Sequence, residues 1–269
     1  MIGELSFFLG LQVSQTIAGM FISQAKYLKD MLKRYGMEEC EPMSTLMTTR
    51  CKMSKDYESP SVDATLYRSI MGSLLYLTAT RPDIMQVVGM VGRFQSTLKQ
   101  SHLLVVKRIL RYLKGTPEFR LWYPKSRTLT VTTYIDTDWD GSVDNRKSTS
   151  ENAFFMGDCL VSWLSKKQSS ISLSTAEAEY IVTTNCCNQI LWMKEDLKGV
   201  NIETKQPITI YYDNTSSISL SKNPVMHLKT KHIPIKYHFL HEQVAEQNIK
   251  LEHINTKEQI ADIFTKLLP

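Results

Sequence analysis

The order of hydrophobic patterns in the second half of the chain limits the fold more than any other feature of the sequence. Apolar runs predict five strands, at 129–135, 152–157, 160–165, 207–213 and 249–254. A long helical pattern at 174–199 separates the third strand from the fourth, and helical patterns at 214–222, 235–248 and 257–268 follow. Three strands followed by alternating helices and strands predict an α/β fold, a mixed sheet covered by helices.

Local signals set two of these boundaries. Ser174 and Glu177 fit the S-x-x-E capping box, which predicts the start of the long helix. Gly157 and Asp158 lie between the second and third strands and are typical of a hairpin turn.

The first half has a different pattern. It begins with a predicted strand at 7–13, a turn near Gly19 and a helix at 24–37 with Ser23 as its N-cap. A polar stretch at 38–61 predicts a loop. Three more helical patterns follow, at 66–80, 83–98 and 102–115. This half is therefore expected to be mostly helical.

Charge also divides the chain. Residues 1–125 hold 17 Lys and Arg against 10 Asp and Glu, whereas residues 126–269 hold 15 against 17. Two modules with this boundary are expected, the first suited to a polyanion and the second to cations. An ordinary solvated surface explains the same charge balance.

Cysteine content and hydropathy indicate the compartment. The five cysteines form no C-x-x-C pair and are odd in number, so we expect neither a disulfide framework nor a zinc site. No apolar run approaches eighteen residues, and "MIGELSFFLGLQV" does not have the pattern of a signal peptide. We expect an intracellular protein, cytoplasmic or nuclear, that does not contact a membrane.

One helix of the first half carries a basic stripe. Lys107, Arg111 and Lys114 are spaced i, i+4 and i+7, so they share a helix face. Such a stripe suits a phosphate backbone. It is equally typical of an amphipathic helix that faces water.

The stretch "YIDTDWDG" places three aspartates directly after the first strand of the second half. Strand alternation puts Asp136 and Asp138 on one face, and Asp140 is expected in the turn with Gly141. A turn and a metal site both explain this composition.

Further acids follow in the same half. Glu179 is two residues beyond Glu177 and points away from it on the helix. Asp213 ends the fourth strand, where sites form in α/β sheets, whereas Asp262 alone is explained as a solvated helix residue. Clustered carboxylates suit Mg²⁺ or Mn²⁺, and two such ions about 3.5–4 Å apart stabilise phosphodiester hydrolysis. A metal-dependent nuclease is one hypothesis.

Several longer stretches resemble a known family. "YIDTDWDGSVDNRKSTS", "LVSWLSKKQSSISLSTAEAEY", "YYDNTSSISLSKNP", "TKHIPIKYHFL" and "EQIADIFTK" resemble the C-terminal part of copia-type LTR retrotransposon Pol polyproteins. "FFLGLQV" and "YRSIMGSLLYLTATRPDI" resemble the reverse transcriptase tail that precedes it. The resemblance covers essentially the whole chain, in order.

The resemblance implies that 126–269 is an RNase H-like domain with a mixed five-stranded sheet and flanking helices. It implies that 1–125 is a truncated reverse transcriptase end, similar to a thumb or connection. Such RNase H domains use two Mg²⁺ ions and four acids to cut the RNA strand of RNA–DNA hybrids. Matched by motif, the four acids are Asp136, Glu179, Asp213 and Asp262. Asp138 remains an alternative to Asp136.

Four basic residues lie in predicted turns of this domain and are expected either to contact phosphates or to face water. They are Arg146, Lys147, Lys166 and Lys167. The missing polymerase portion of a Pol polyprotein is a further expected partner.

The sequence also departs from the family pattern. No Y-x-D-D aspartate pair is present, so polymerase activity is not expected. Glu151-Asn152 stands where family members usually have Gly-Tyr, and Pro234 stands where they usually have Asp, which predicts an interrupted helix. A Gly-His loop before the last helix is absent, and His253 is expected in the fifth strand. The alternatives to an active enzyme are a catalytically inactive nucleic-acid-binding remnant and a non-functional piece of a transposable element.

Overall fold

The structure is a computed structural model that describes residues 6–47, 53–125, 129–204, 207–213 and 234–264. These residues fall into two compact units, 6–125 and 129–264. The assignment of the first unit to the end of a reverse transcriptase stays a prediction.

The first unit combines a four-stranded antiparallel sheet with helices. Its strands, in sheet order, are β1 (Phe7–Phe8), β2 (Leu11–Thr16), β3 (Gly19–Ser23) and β4 (Leu121–Pro124). Its helices are α1 (Ala25–Arg34), α2 (Ala64–Leu77), α3 (Met85–Gly92) and α4 (Gln100–Gly115), with a 3₁₀ turn at Pro82–Ile84.

The sheet corrects two expectations about this unit. The predicted strand at 7–13 is divided at Gly10, whose φ of 77° suits glycine. Ser23 does not cap α1, because it is the last residue of β3 and pairs with Gln12; the N-cap is Gln24. Neither β3 nor β4 was predicted from the sequence.

A buried ion pair links two segments of the first unit. Arg81 is buried, and its Nε and Nη2 donate to the two carboxylate oxygens of Asp83 at 2.8 and 2.6 Å. Its Nη1 donates to the Thr116 carbonyl at 2.9 Å, and the Tyr112 hydroxyl donates to Asp83 at 2.9 Å. Through these hydrogen bonds the ion pair links the segment before α3 to the end of α4.

The second unit contains one mixed sheet with helices between its strands. Its elements are β5 (Val131–Asp138), β6 (Thr149–Met156), β7 (Cys159–Lys167), α5 (Thr175–Gly199), β8 (Ile208–Tyr212), α6 (Pro234–Ala245) and β9 (Ile249–His253), with 3₁₀ turns at Thr256–Glu258 and Ile260–Phe264. The strand order is β7-β6-β5-β8-β9, and only β5–β8 and β8–β9 are parallel pairs. The predicted α/β fold with a mixed five-stranded sheet and flanking helices is confirmed.

The two faces of this sheet differ. Val131 and Ile135 of β5 and Phe154 of β6 belong to a buried apolar cluster that includes Tyr180 of α5 and Leu240 of α6. Because side chains alternate along a strand, Tyr134 and Asp136 lie on the opposite face. The turn at Ile260–Phe264 contacts β5 and β6.

Three expectations concern the later elements of this unit. The helix predicted at 214–222 lies outside the described residues. The predicted last helix is represented by two 3₁₀ turns within the described part, up to Phe264. Pro234 is the first described residue of α6, and the residues before it lie outside the described part, so the interrupted helix stays a prediction.

None of the helices that the structure describes is long and apolar enough to cross a membrane.

Candidate active site

Asp136 lies near the carboxyl end of β5, the central strand of the sheet. Tyr134 pairs with Tyr211 of the parallel strand β8, so the same register carried two residues further reaches Asp213. Adjacent strands are about 4.8 Å apart, which makes Asp136 and Asp213 neighbours at one sheet edge. Asp136 is half-buried, and its Oδ1 accepts a hydrogen bond from the Thr137 backbone N–H at 2.7 Å.

The other two aspartates of "YIDTDWDG" are Asp138, the last residue of β5, and Asp140 in the turn that follows. The Asp138 carboxylate lies so close to Gly141 that a Cβ there would overlap it. Asp140 has a φ of 57°, and its Oδ2 accepts from Arg146 at 2.7 Å. The structure therefore places Asp140 in the turn as expected and turns Asp138 toward the same loop.

Glu179 follows the capped start of α5. The Ser174 hydroxyl accepts from the Glu177 N–H at 3.2 Å, and the Glu177 Oε2 accepts from the Leu173 N–H at 2.7 Å. Glu177 thus stabilises the helix start, as the capping box predicts, except that it bonds the residue before the N-cap. Glu179 is buried.

Gln168 fixes the start of α5 against the sheet. Its Nε2 donates to the Ser150 hydroxyl of β6 and to the Ala178 carbonyl of α5, both at 2.9 Å. Ser150 pairs with Thr137, the residue after Asp136. This contact brings the helix turn that carries Glu179 to the same end of β5.

Asp213 directly follows β8 and accepts hydrogen bonds from residues at and after the end of β9. Its Oδ2 accepts from the Thr256 hydroxyl at 3.0 Å. Its backbone carbonyl accepts from the His253 Nε2 at 3.2 Å. His253 ends β9, so the structure confirms its expected place in the fifth strand.

Asp262 lies in the 3₁₀ turn Ile260–Phe264, which Gln259 attaches to the central strand. The buried Gln259 side chain donates from Nε2 to the Ile135 carbonyl at 3.0 Å and accepts from the Ala261 N–H at 3.2 Å. Because Ile135 precedes Asp136, this clamp brings Asp262 to the region of the first acid. Asp262 is half-buried, so it is not a fully solvated helix residue.

The fold thus brings four acid-bearing segments to one end of the sheet, but their side chains do not converge. Among the described residues, no group of three or more His, Cys, Asp or Glu is placed to hold a metal ion. Two of the carboxylates accept local hydrogen bonds, Asp136 from the Thr137 N–H and Asp213 from Thr256.

Glu151 is directly opposite Asp136 across the β5–β6 pair. Directly paired residues of an antiparallel sheet project from the same face, with Cβ atoms about 4.5–5.5 Å apart. Glu151 is fully buried, and its Oε1 accepts from the Ser165 hydroxyl of β7 at 2.8 Å. The departure noted in the sequence therefore adds a carboxylate next to Asp136.

The four basic residues predicted in turns divide into two pairs. Arg146 and Lys147 are in the loop after β5, where Arg146 pairs with Asp140 and the Lys147 Nζ donates to the Ser169 carbonyl. Lys166 and Lys167 are not in a turn, because β7 extends to Lys167 and both residues pair with β6. Lys166 is exposed and Lys167 is half-buried.

The basic stripe on α4 is partly covered by a preceding loop. The Arg111 Nε donates to the Glu41 carbonyl at 2.6 Å, and the Lys114 Nζ donates to the Cys40 carbonyl at 2.7 Å. Lys107 is exposed. Two of the three stripe residues thus bond the preceding loop, and a phosphate contact in this unit stays a prediction.

Sequence patterns did not identify the groups that hold the candidate site together. Gln168, Thr256 and Gln259 are not among the predicted site residues, although Gln168 and Gln259 lie in stretches that resemble the family. For Gln259 the available signal was its place three residues before Asp262 and directly before the apolar Ile260 and Ala261.

Comparison with known proteins gives long matches. The chain is 38% identical over 265 residues to the retrovirus-related Pol polyprotein from transposon RE1 of Arabidopsis thaliana, covering 98% of this chain and 18% of that protein. It is 37% identical over 270 residues to the Pol polyprotein from transposon TNT 1-94 of Nicotiana tabacum, covering 97% of this chain and 20% of that protein. The chain spans about a fifth of the length of these curated relatives.

A solved RNase H1 isolated from compost by a metagenomic approach is similar at 16% identity, with a TM-score of 0.36. The match covers 51% of this chain and 92% of that one. No protein-family model matches the chain.

Proposed function

The chain belongs to the retrovirus-related Pol polyproteins of copia-type transposons, and we propose that its second unit is an RNase H that hydrolyses the RNA strand of RNA–DNA hybrids. One observation carries the proposal. Asp136 and Asp213 are in register at the ends of adjacent parallel strands, and Gln259 ties the segment of Asp262 to the first of these strands.

The donor chemistry of this edge fits a hard divalent cation. Asp136, Glu179, Asp213 and Asp262 all present carboxylate oxygens, the ligands that Mg²⁺ and Mn²⁺ prefer. We assign Asp136 and Asp213 as the direct ligands, with Glu179 and Asp262 completing the set. Two bound ions would stabilise negative charge on the attacking and leaving oxygens of the phosphodiester.

The residues around the acids would position them and the substrate. Thr256 and Gln259 restrain Asp213 and the Asp262 segment from outside the carboxylate set. Lys147 and Lys166 provide positive charge in the same unit for phosphates of the hybrid. Contacts with the 2′-hydroxyl would distinguish RNA from DNA.

The proposal assigns no polymerase activity to this chain, because it contains no Y-x-D-D sequence. We further propose that residues 1–125 are a reverse transcriptase end similar to a thumb or connection, and that 126–269 form the RNase H domain. The other parts of a Pol polyprotein are the proposed protein partner.

The test is cleavage of a hybrid with labelled RNA in the presence of Mg²⁺. We expect the natural chain to cut the RNA strand and Asp136→Asn and Asp213→Asn each to abolish cutting. Asp158→Asn is the matched control, because Asp158 is an exposed acid in the β6–β7 hairpin of the same unit. A folded natural chain that leaves the hybrid intact would refute the proposal.

A second candidate function rests on Glu151. A fully buried carboxylate opposite Asp136, where family members usually carry glycine, favours a nucleic-acid-binding remnant without catalysis. Hybrid binding without cleavage, unchanged by added Mg²⁺, would support this candidate.

A further inference from the structure

Three large apolar side chains are exposed beside the candidate site in the second unit. Trp139 in the loop after β5 is 45% exposed, and Ile171 and Leu173 in the loop before α5 are 53% and 77% exposed. Exposed apolar side chains that lie together mark interaction surfaces more often than isolated ones do. We call these three residues the tryptophan surface.

Hydrogen bonds fix this surface to the fold. The Trp139 Nε1 donates to the Ser172 carbonyl at 3.3 Å, so the indole lies at the backbone between the two aliphatic residues. The Ser172 hydroxyl donates to the Gln168 Oε1 at 2.9 Å. The side-chain nitrogen of Gln168 in turn bonds β6 and α5. The two loops therefore form one defined surface.

The surface adjoins the carboxylates on both sides. Trp139 directly follows the last residue of β5, three residues after Asp136. Gln168, which holds the second loop, bonds the carbonyl of Ala178 next to Glu179. A molecule that covers the tryptophan surface would therefore extend toward the candidate site.

Three lysines and several acids lie near the surface. Lys147 bonds the Ser169 carbonyl in the second loop, and Lys166 and Lys167 immediately precede that loop. Arg146 is also present but pairs with Asp140, so those two charges largely offset each other. The acids are Asp138 at the end of β5, Asp144 in the first loop and Glu177, whose carboxylate accepts from the Leu173 N–H.

We propose that the tryptophan surface binds the nucleic-acid substrate and positions its backbone on the edge formed by Asp136 and Asp213; this inference rests on the proposed RNase H function. An apolar area bordered by lysines matches the groove of a hybrid duplex, which presents sugars and base edges between two phosphate backbones. Covering the exposed part of an indole removes apolar surface from water, which strengthens binding by about tenfold or more. Trp139 is thereby a substrate-contacting residue.

The test measures binding separately from cleavage. Labelled RNA–DNA hybrid is titrated against the Asp136→Asn chain, which is expected not to cut, and fluorescence anisotropy gives Kd. Adding Trp139→Ala is expected to raise Kd about tenfold or more, and Leu173→Ser to raise it several-fold, because each change removes apolar contact surface. Trp192→Ala is the matched control, because Trp192 is 60% exposed on α5, 18 residues after Ser174 and far from its start.

The outcomes separate this inference from the function on which it rests. An unchanged Kd in both surface variants, with cleavage intact in the natural chain, overturns the tryptophan surface and leaves the RNase H proposal standing. No hybrid binding by any folded variant overturns both. A tenfold weaker Kd in Trp192→Ala as well would show that the loss is unspecific and would refute the inference. Melting curves of each variant verify that it is folded.

Discussion

Replacing Gln259 by methionine tests whether the clamp on the central strand organises the candidate site. Methionine has nearly the same length and volume but neither donates nor accepts a strong hydrogen bond. The change removes the bond from Nε2 to the Ile135 carbonyl and the bond from the Ala261 N–H to Oε1. The backbone of the last turn would then lose its attachment beside Asp136.

The expected loss of stability follows from the burial of these groups. Gln259 and Ala261 are buried, so the freed carbonyl and N–H groups would remain unsatisfied. Each such group costs about 1–3 kcal/mol, which gives about 2–6 kcal/mol for an intact fold. The 3₁₀ turn lies late in the chain and can open locally, so the global loss should lie near the lower value.

The assay combines urea denaturation with hybrid cleavage. Gln243→Met is the matched control, because Gln243 is also a buried glutamine of this unit but bonds Asn248 in the α6–β9 connection. We expect both variants to lose stability, and only Gln259→Met to lose more than about tenfold in kcat. Equal activity of the two variants would refute the claim that Gln259 positions Asp262.

Three further predictions concern charge and protonation. Asp83→Asn should destabilise the first unit by about 1–3 kcal/mol in urea denaturation, because it leaves the buried Arg81 guanidinium without its partly exposed counter-charge; an unchanged midpoint would contradict this. Glu151→Gln should raise the melting temperature by a few degrees, because it removes one of two like charges directly opposite each other, and a lower melting temperature would refute it. Burial, assisted by Asp83, raises the pKa of Tyr112 to about 12. The stability that this shift contributes is complete below pH 10 and is lost between about pH 10 and 12, since the unfolded tyrosine releases its proton first. Tyr112→Phe should therefore flatten the fall of the unfolding free energy in that range.

The second unit could be predicted because its signals are local. Alternating side chains mark β5 and β8, and Ser174 with Glu177 marks the start of α5. The glycine turn at 157 marks the hairpin. Each of these features depends on residues within a few positions of one another.

Non-local contacts account for most of the differences between the sequence-based predictions and the structure. Strand β3 pairs with β4, so Gly19 meets Pro124 from the other end of the unit, and neither segment alone has a long strand pattern. Lys166 and Lys167 are in a strand because Ser150 and Thr149 pair with them. The clamp by Gln259 reaches back to Ile135, and no spacing rule links residues so far apart.

The position of the acid-bearing strand in the centre of the sheet has a consequence for synthesis of the chain. Strand β5 meets β6 soon after it is made, but its parallel partner β8 follows 77 residues later, since Thr132 pairs with Thr209. Pairing over such sequence separation forms slowly, because loop closure must precede the contact. The Gln259 bond to Ile135 closes a still longer loop. On a translating ribosome the hairpins would therefore fold first. A premature stop between residues 254 and 259 would leave every strand that the structure describes encoded while removing the clamp.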